Sequence, residues 1–288
     1  MSGDETVLFR PAAWNGLSLE VPAEWRLGTI DLRYLAFEDE RGPTLEAKWS
    51  TIKGRFDFKK NFRRLAGPVG GKNNLQIFPL PAAWAGALAG FEVQGFSWAG
   101  GELSGRGVVT FCPTCRTAAL LHFFHRPNVD DLAPKILASF RDHRDDGKTE
   151  YAVFDIKTRV PREFVLQAKK FQPGWFELNF TGPDKSAVKF LRFGPANILL
   201  SGSGLDGFAG RHLDLAREKP PDRSLDGAIM EWTAVGKPWA GLIGKRTDRI
   251  LRLWTLEKEN RILGVEMLGP PRLAAGLFDD LCRQYELV

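Results

Sequence analysis

Gly16-Leu-Ser-Leu-Glu-Val-Pro-Ala-Glu-Trp25 alternates apolar and polar residues, stops at Pro22 and places a tryptophan shortly beyond it. Alternation buries one face of a strand, and a proline at the strand's end removes a ladder donor and closes it. The pattern returns in Phe154-Asp-Ile-Lys-Thr-Arg-Val-Pro-Arg-Glu-Phe164, where Val160-Pro161 matches Val21-Pro22 and Phe164 takes the place of Trp25. Self-similarity at a long period points to an internal duplication. That reading sets the expected architecture of the whole chain.

Working outward from the two openings, residues 29–38 and 174–181 read as strands, followed by the turn residues Arg41-Gly-Pro43 and Gly182-Pro-Asp184. Residues 44–49 and 187–200 read as further strands, the second with a break at Gly194-Pro195. A helix is expected over 56–65, where Phe58, Phe62 and Leu65 share one face. A less regular one is expected over 205–216, with Phe208, Leu213 and Leu215. Three strand-like runs follow in each half: 89–98, 103–112 and 116–125, then 228–235, 249–256 and 261–268. Each half closes on an amphipathic helix. Residues 129–143 carry Leu132, Ile136, Leu137 and Phe140, and residues 272–285 carry Leu273, Leu277, Leu281 and Tyr285. The glycine- and asparagine-rich stretch 68–81 reads as a long loop. Short connections between strands imply antiparallel neighbours. The expected fold class is therefore α+β: two similar domains, 1–148 and 149–288, each an antiparallel sheet covered by helices in the manner of an α/β/α sandwich.

The chain has 288 residues, of which 43% are hydrophobic and 26% charged. That is ordinary globular composition and excludes disorder, collagen and coiled coil. No apolar run approaches the roughly 20 residues of a membrane span. The net charge is +5, from 40 basic and 35 acidic residues, and neither half concentrates it, so nucleic acid is disfavoured as a partner. The acidic start Met1-Ser-Gly-Asp-Glu5 lacks the apolar core of a secretory signal. An odd count of three cysteines does not fit a secreted disulfide framework. These features make the expected compartment cytoplasmic.

The opening Gly16–Trp25, with its strand, Val-Pro step and tryptophan, resembles that of PsbP-like and DcrB-like domains. The stretch Ile136-Leu-Ala-Ser-Phe140 is similar to their closing helix. The resemblance covers the first half better than the second. It implies an α/β/α sandwich and a binding or accessory role. That family shares no catalytic residues, so none is carried over, and many of its members are exported whereas this chain shows no export signal.

Three places could carry chemistry. Cys112-Pro-Thr-Cys115 lies between two alternating runs, at the expected tip of a hairpin. Two thiolates at this spacing can reach one tetrahedral zinc ion, forming half a site. Cys282, His122, His125, His143 and His212 are the other soft donors available to complete it, and His122 and His125 point to opposite faces of one strand. The bland alternative is a structural turn with free thiols, and a thiol-redox pair is a third reading. Gly202-Ser-Gly-Leu-Asp-Gly207 fits a Gly-x-Gly-x-x-Gly pattern before a helix, with Gly202, Gly204 and Gly207 as candidate nucleotide-binding residues. The matching place in the first half, Ser50-Thr-Ile-Lys-Gly-Arg55, has no such pattern, which favours an ordinary glycine-rich loop. Third, Lys53, Arg55, Lys59, Lys60, Arg63 and Arg64 crowd around a single acid, Asp57. Lys59, Lys60, Arg63 and Arg64 are the candidate partner-binding residues, against the simpler reading of a solvated helix face.

No catalytic set emerges, because nucleophile elbows and clustered histidines are both missing from the sequence. The reading that follows is a non-enzymatic accessory or protein-binding protein built from a duplicated domain, with no cofactor expected other than zinc as a candidate. The runner-up is a zinc or thiol-redox protein centred on Cys112 and Cys115. A nucleotide-binding enzyme using Gly202–Gly207 comes third.

Overall fold

The computed structural model describes residues 7–60, 75–100, 103–213, 223–225, 228–235 and 248–288. The chain divides into two compact units, Met1–Asp155 with Val288, and Ile156–Leu287.

The first unit opens with the hairpin β1 (Phe9–Trp14) and β2 (Leu17–Pro22), and β1 also pairs with β10 (Lys148–Val153). Its main sheet has seven antiparallel strands: β3 (Arg26–Asp31), β4 (Tyr34–Asp39), β5 (Gly42–Thr51), β6 (Leu75–Phe78), β7 (Glu92–Gly100), β8 (Leu103–Phe111) and β9 (Thr117–Phe124). Their spatial order is β3-β4-β5-β9-β8-β7-β6. Helices α1 (Ala82–Ala87) and α2 (Val129–Ser139) also belong to this unit, and residues 58–60 form a further helical turn.

The second unit begins with β11 (Ile156–Pro161), paired with the two-residue β19 (Glu286–Leu287). Its main sheet holds β12 (Val165–Gln172), β13 (Trp175–Thr181), β14 (Ala187–Phe193), β15 (Arg223–Leu225), β16 (Ile229–Val235), β17 (Asp248–Leu256) and β18 (Arg261–Gly269), in the order β12-β13-β14-β18-β17-β16-β15. Helices α3 (Ala196–Leu199), α4 (Gly204–His212) and α5 (Pro271–Arg283) belong to it. Written by chain position, both main sheets run first, second, third, seventh, sixth, fifth, fourth.

Local chemistry recurs with that order. Strands β2 and β11 end on Pro22 and Pro161, and the next turn is closed by Trp25 N–H to Pro22 O at 3.0 Å and by Phe164 N–H to Pro161 O at 2.9 Å. Each edge strand then carries a register shift, between Leu27 and Thr29 in β3 and between Leu166 and Ala168 in β12. Trp25 and Phe164 are both buried.

The α/β/α layering expected from the sequence does not hold. Among the described residues 53% are strand and 19% helix, and the sheets are antiparallel throughout. Helices α1 to α5 have 4 to 13 residues, so among the described residues there is too little helix to blanket two seven-stranded sheets. Sheet faces are filled instead by large side chains and by connecting segments. In the first unit Ile52, Phe96, Trp98, Val109, Phe111, Ala118, Leu120 and Phe124 form one cluster, on which Phe56 rests from a connecting segment and Phe58 from the start of a helical turn. On β9 every residue from Ala118 to Phe124 is buried, and Trp84 of α1 meets Phe123 edge-on at 5.3 Å. In the second unit Leu205, Phe208 and Ala209 of α4 pack with Leu191, Phe193, Trp232 and Leu253.

Other differences are local. The expected strand 187–200 stops at Phe193, and the break at Gly194-Pro195, a cis peptide, leads into α3. Part of the expected loop 68–81 is strand β6, paired with β7 from Leu75 opposite Trp98 to Phe78 opposite Gly95. Of the helix expected over 56–65, residues 58–60 are helical, while Phe62 and Leu65 lie outside the described residues, as does Leu215.

Candidate metal centre

The hairpin between β8 and β9 forms because Cys112 N–H bonds Thr117 O at 2.9 Å and Arg116 N–H bonds back to Cys112 O at 2.9 Å. Arg116 reverses the chain in the left-handed region, with φ 58°. Cys112 and Cys115 therefore share one tip. Opposite them lies the chain just after α2. There Arg141 forms an antiparallel bridge with Ser18, its N–H bonding Ser18 O at 2.8 Å and its O accepting Ser18 N–H at 2.8 Å. That bridge fixes the next two residues, Asp142 and His143, beside the hairpin.

Four potential ligand atoms of Cys112, Cys115, Asp142 and His143 lie within 4.8 Å of one another. The Cys115 thiol donates to Asp142 Oδ2 at 3.0 Å, Cys112 Sγ is 3.8 Å from His143 Nδ1, and that nitrogen is 2.7 Å from Asp142 Oδ1. Cys112 and Asp142 are buried, while Cys115 and His143 are partly exposed. Burial, then the hydrogen bond to Asp142, pushes the Cys115 thiol up to about 12. The sulfurs are free, with no disulfide between them.

Of the soft donors weighed from sequence, the structure brings His143 to the hairpin. Asp142 was missed, since an acidic residue 27 positions from Cys115 carries no spacing signal. His122 is instead buried in the first unit's main sheet, where it accepts the Trp98 indole N–H, and His125 is exposed. Cys282 and His212 belong to the second unit. Cys282 is buried in α5, and that burial pushes its thiol up to about 12.

Gly204 and Gly207 of the glycine pattern sit in the first turn of α4, and Gly202 precedes it with φ 75°. The element before them is the helix α3 rather than a strand. The Gly204 amide is engaged by Leu200 O at 3.1 Å and that of Gly207 by Ser203 O at 3.2 Å.

In the basic segment, Lys53, Arg55, Lys59 and Lys60 are all exposed, and none makes an ion pair among the described residues. Arg63 and Arg64 lie outside the described residues. Asp57 is exposed and caps the helical turn 58–60, accepting the Lys60 amide at 2.8 Å. The segment is fastened to the cysteine hairpin. Ile52 N–H bonds Arg116 O at 2.8 Å, the Arg116 guanidinium donates to Ile52 O and Gly54 O, and Phe56 stacks on Phe111 at 4.1 Å.

Neither a protein-family model nor a curated protein matches the chain. Among solved structures, it is similar to the Saccharomyces cerevisiae Ran-binding protein Mog1p, with TM-score 0.35 and 12% identity over 49% of this chain and 95% of that one. It is similar as well to the immunity protein TplEi of the T6SS from Pseudomonas aeruginosa, with TM-score 0.35 and 9% identity over 97% of both chains. A Tle4–Tli4 complex matches with TM-score 0.34 and 12% identity, again over 97% of both. The names of these three do not include PsbP or DcrB. Likeness of this size transfers neither a fold name nor a function. Among the described residues, no helix is long and apolar enough to cross a membrane.

Proposed function

We propose that this chain is a non-enzymatic accessory protein that recognises an acidic protein surface through the basic segment Lys53–Lys60. The observation that carries the reading is the exposure of Lys53, Arg55, Lys59 and Lys60 on a segment whose backbone and aromatic residues are anchored to the sheet. Side chains presented from a fixed backbone lose less freedom on binding than those of a loose loop. The resemblance of Gly16–Trp25 to PsbP-like and DcrB-like openings supports an accessory role in the same direction. Two copies of one module, residues 1–148 and 149–288, form part of this proposal, supported by the shared strand order and the matching Pro22 and Pro161 turns.

Binding of the full chain to a fluorescent oligo-glutamate peptide tests the reading. The affinity should fall as salt rises, and should drop about tenfold when Lys53, Arg55, Lys59 and Lys60 are all changed to glutamate. Circular dichroism should stay unchanged, because exposed charges shift stability by under about 0.5 kcal/mol each. An unaltered affinity in that variant, or tighter binding to an oligonucleotide of equal charge, would overturn the proposal.

A further inference from the structure

We propose that Cys112, Cys115, Asp142 and His143 hold one zinc ion in a closed, structural site. A single ion at about 2.0–2.3 Å from each of four ligands draws the ligand atoms to roughly 3.3–3.8 Å from one another. The four side chains come close to that arrangement: Cys112 Sγ and His143 Nδ1 are 3.8 Å apart, and Cys115 Sγ and Asp142 Oδ2 are 3.0 Å apart. The set contains two sulfurs, one imidazole nitrogen and one carboxylate oxygen. Soft thiolates select zinc over magnesium or calcium, which prefer all-oxygen sites. Four protein ligands leave no open position for water, which separates a structural role from a catalytic one.

The proton accounting is simple. Zinc binding releases the two thiol protons to solvent. His143 coordinates through Nδ1, so its remaining proton sits on Nε2. That nitrogen faces Asp145, whose Oδ1 is 4.0 Å away, the type of outer carboxylate that orients a metal-bound imidazole. The Nδ1 contact with Asp142 Oδ1 then gives way to coordination.

The site ties two places far apart in sequence, the β8–β9 tip and the residues after α2. Because Arg116 and Phe111 also hold the Ile52–Phe58 segment, the ion would stiffen the platform under the basic residues. The zinc proposal does not depend on what those residues bind.

The test uses the full chain purified without a metal-affinity tag. Elemental analysis should find about one zinc per chain. Replacement by Co2+ should give the visible bands of tetrahedral cobalt together with a thiolate-to-cobalt absorption. Cys112→Ser and His143→Val should each bring the content near zero, while Cys282→Ser should keep it. Should those variants fail to fold, Asp142→Asn keeps the side chain's size and should yield its zinc to a chromophoric chelator about tenfold more readily. A parent protein with neither zinc nor a thiolate–cobalt band, or zinc retained in both Cys112→Ser and His143→Val, would overturn the inference.

Discussion

The β8–β9 and β17–β18 hairpins are built alike and equipped differently. In one, Cys112 faces Thr117 across the turn Pro113–Arg116; in the other, Leu256 faces Arg261 across Glu257–Asn260. Each turn ends on a left-handed residue, Arg116 at φ 58° and Asn260 at φ 55°. The chain segments after α2 and α5 also correspond. Arg141 bridges Ser18, the second residue of β2, and Glu286 pairs with Lys157, the second residue of β11. By this register Leu256 and Glu259 stand where the first unit has Cys112 and Cys115, and Leu287 and Val288 stand where it has Asp142 and His143. The scaffold recurs while the donor set occurs in one unit. Chemistry of this kind is grafted onto a fold rather than required by it.

The largest effects should come from what the two units share. Trp25 and Phe164 follow matching prolines and are each 4% exposed, so truncating either to alanine should cost about 3–5 kcal/mol through lost burial and a cavity. Urea denaturation of each variant measures this. Similar losses at both positions would sharpen the comparison. If one truncation proved nearly neutral, the matching turns would be a likeness of outline without shared energetics.

Those two positions were also the most legible in the sequence. Alternation, proline and an aromatic residue act locally, so Gly16–Trp25 and Phe154–Phe164 announce a strand and its end without knowledge of the rest. The Cys112–Cys115 turn was legible because a strand-like run lies on each side of it, although Ala118–Phe124 is buried on both faces rather than alternating. What could not be read depends on contacts distant in the chain. Asp142 and His143 reach the hairpin because Arg141 docks on Ser18, a contact that no periodicity encodes. Strand β6 was hidden because its ladder partner, β7, matters more than its own glycine- and asparagine-rich surroundings. The helical layers were overestimated because an amphipathic stripe shows that one face is buried but not how much of a sheet it covers, and aromatic residues such as Phe56 cover the sheet from outside any helix.

A second contrast lies within the sheets. Glu46 is opposite His122 in the first unit, and Lys189 is opposite Glu266 in the second, so a cross-strand pair of similar placement is reversed in polarity. Glu266 holds Arg249 at 2.6 Å and Lys189 at 3.1 Å. His122 accepts the Trp98 indole N–H at Nε2, with Glu46 4.0 Å from Nδ1. Burial lowers the pKa of His122 below its usual 6.5, against the opposing pull of Glu46. The folded state thus favours neutral imidazole. Stability from this group is complete above pH 6.5 and is lost as pH falls below it. Further down, Glu46, held below its usual 4.5 chiefly by the His122 ring beside it, adds a loss of the same sign. Melting curves between pH 7.5 and 5, at values spaced by about half a unit, should show this decline. His122→Gln retains an acceptor for the indole and should flatten it. An equally steep decline in that variant would place the acid-sensitive group elsewhere.

The smallest effect on stability is expected at the left-handed residues themselves. Arginine is uncomfortable at positive φ, and glycine there recovers about 1 kcal/mol. Arg116→Gly also removes the guanidinium bonds to Ile52 O and Gly54 O, each worth up to about 1 kcal/mol, so the net should be a loss of no more than about 1 kcal/mol. Asparagine tolerates this conformation well, and Asn260→Gly gives up only exposed bonds with Asn197. Both variants should therefore melt close to the parent. Their difference should appear in binding: Arg116→Gly releases the segment carrying Lys53 and Arg55 and should weaken oligo-glutamate affinity, whereas Asn260→Gly should leave it intact. If the two behave alike, the fastening of the basic segment to the cysteine hairpin has no part in recognition, and the units differ only in their donor atoms.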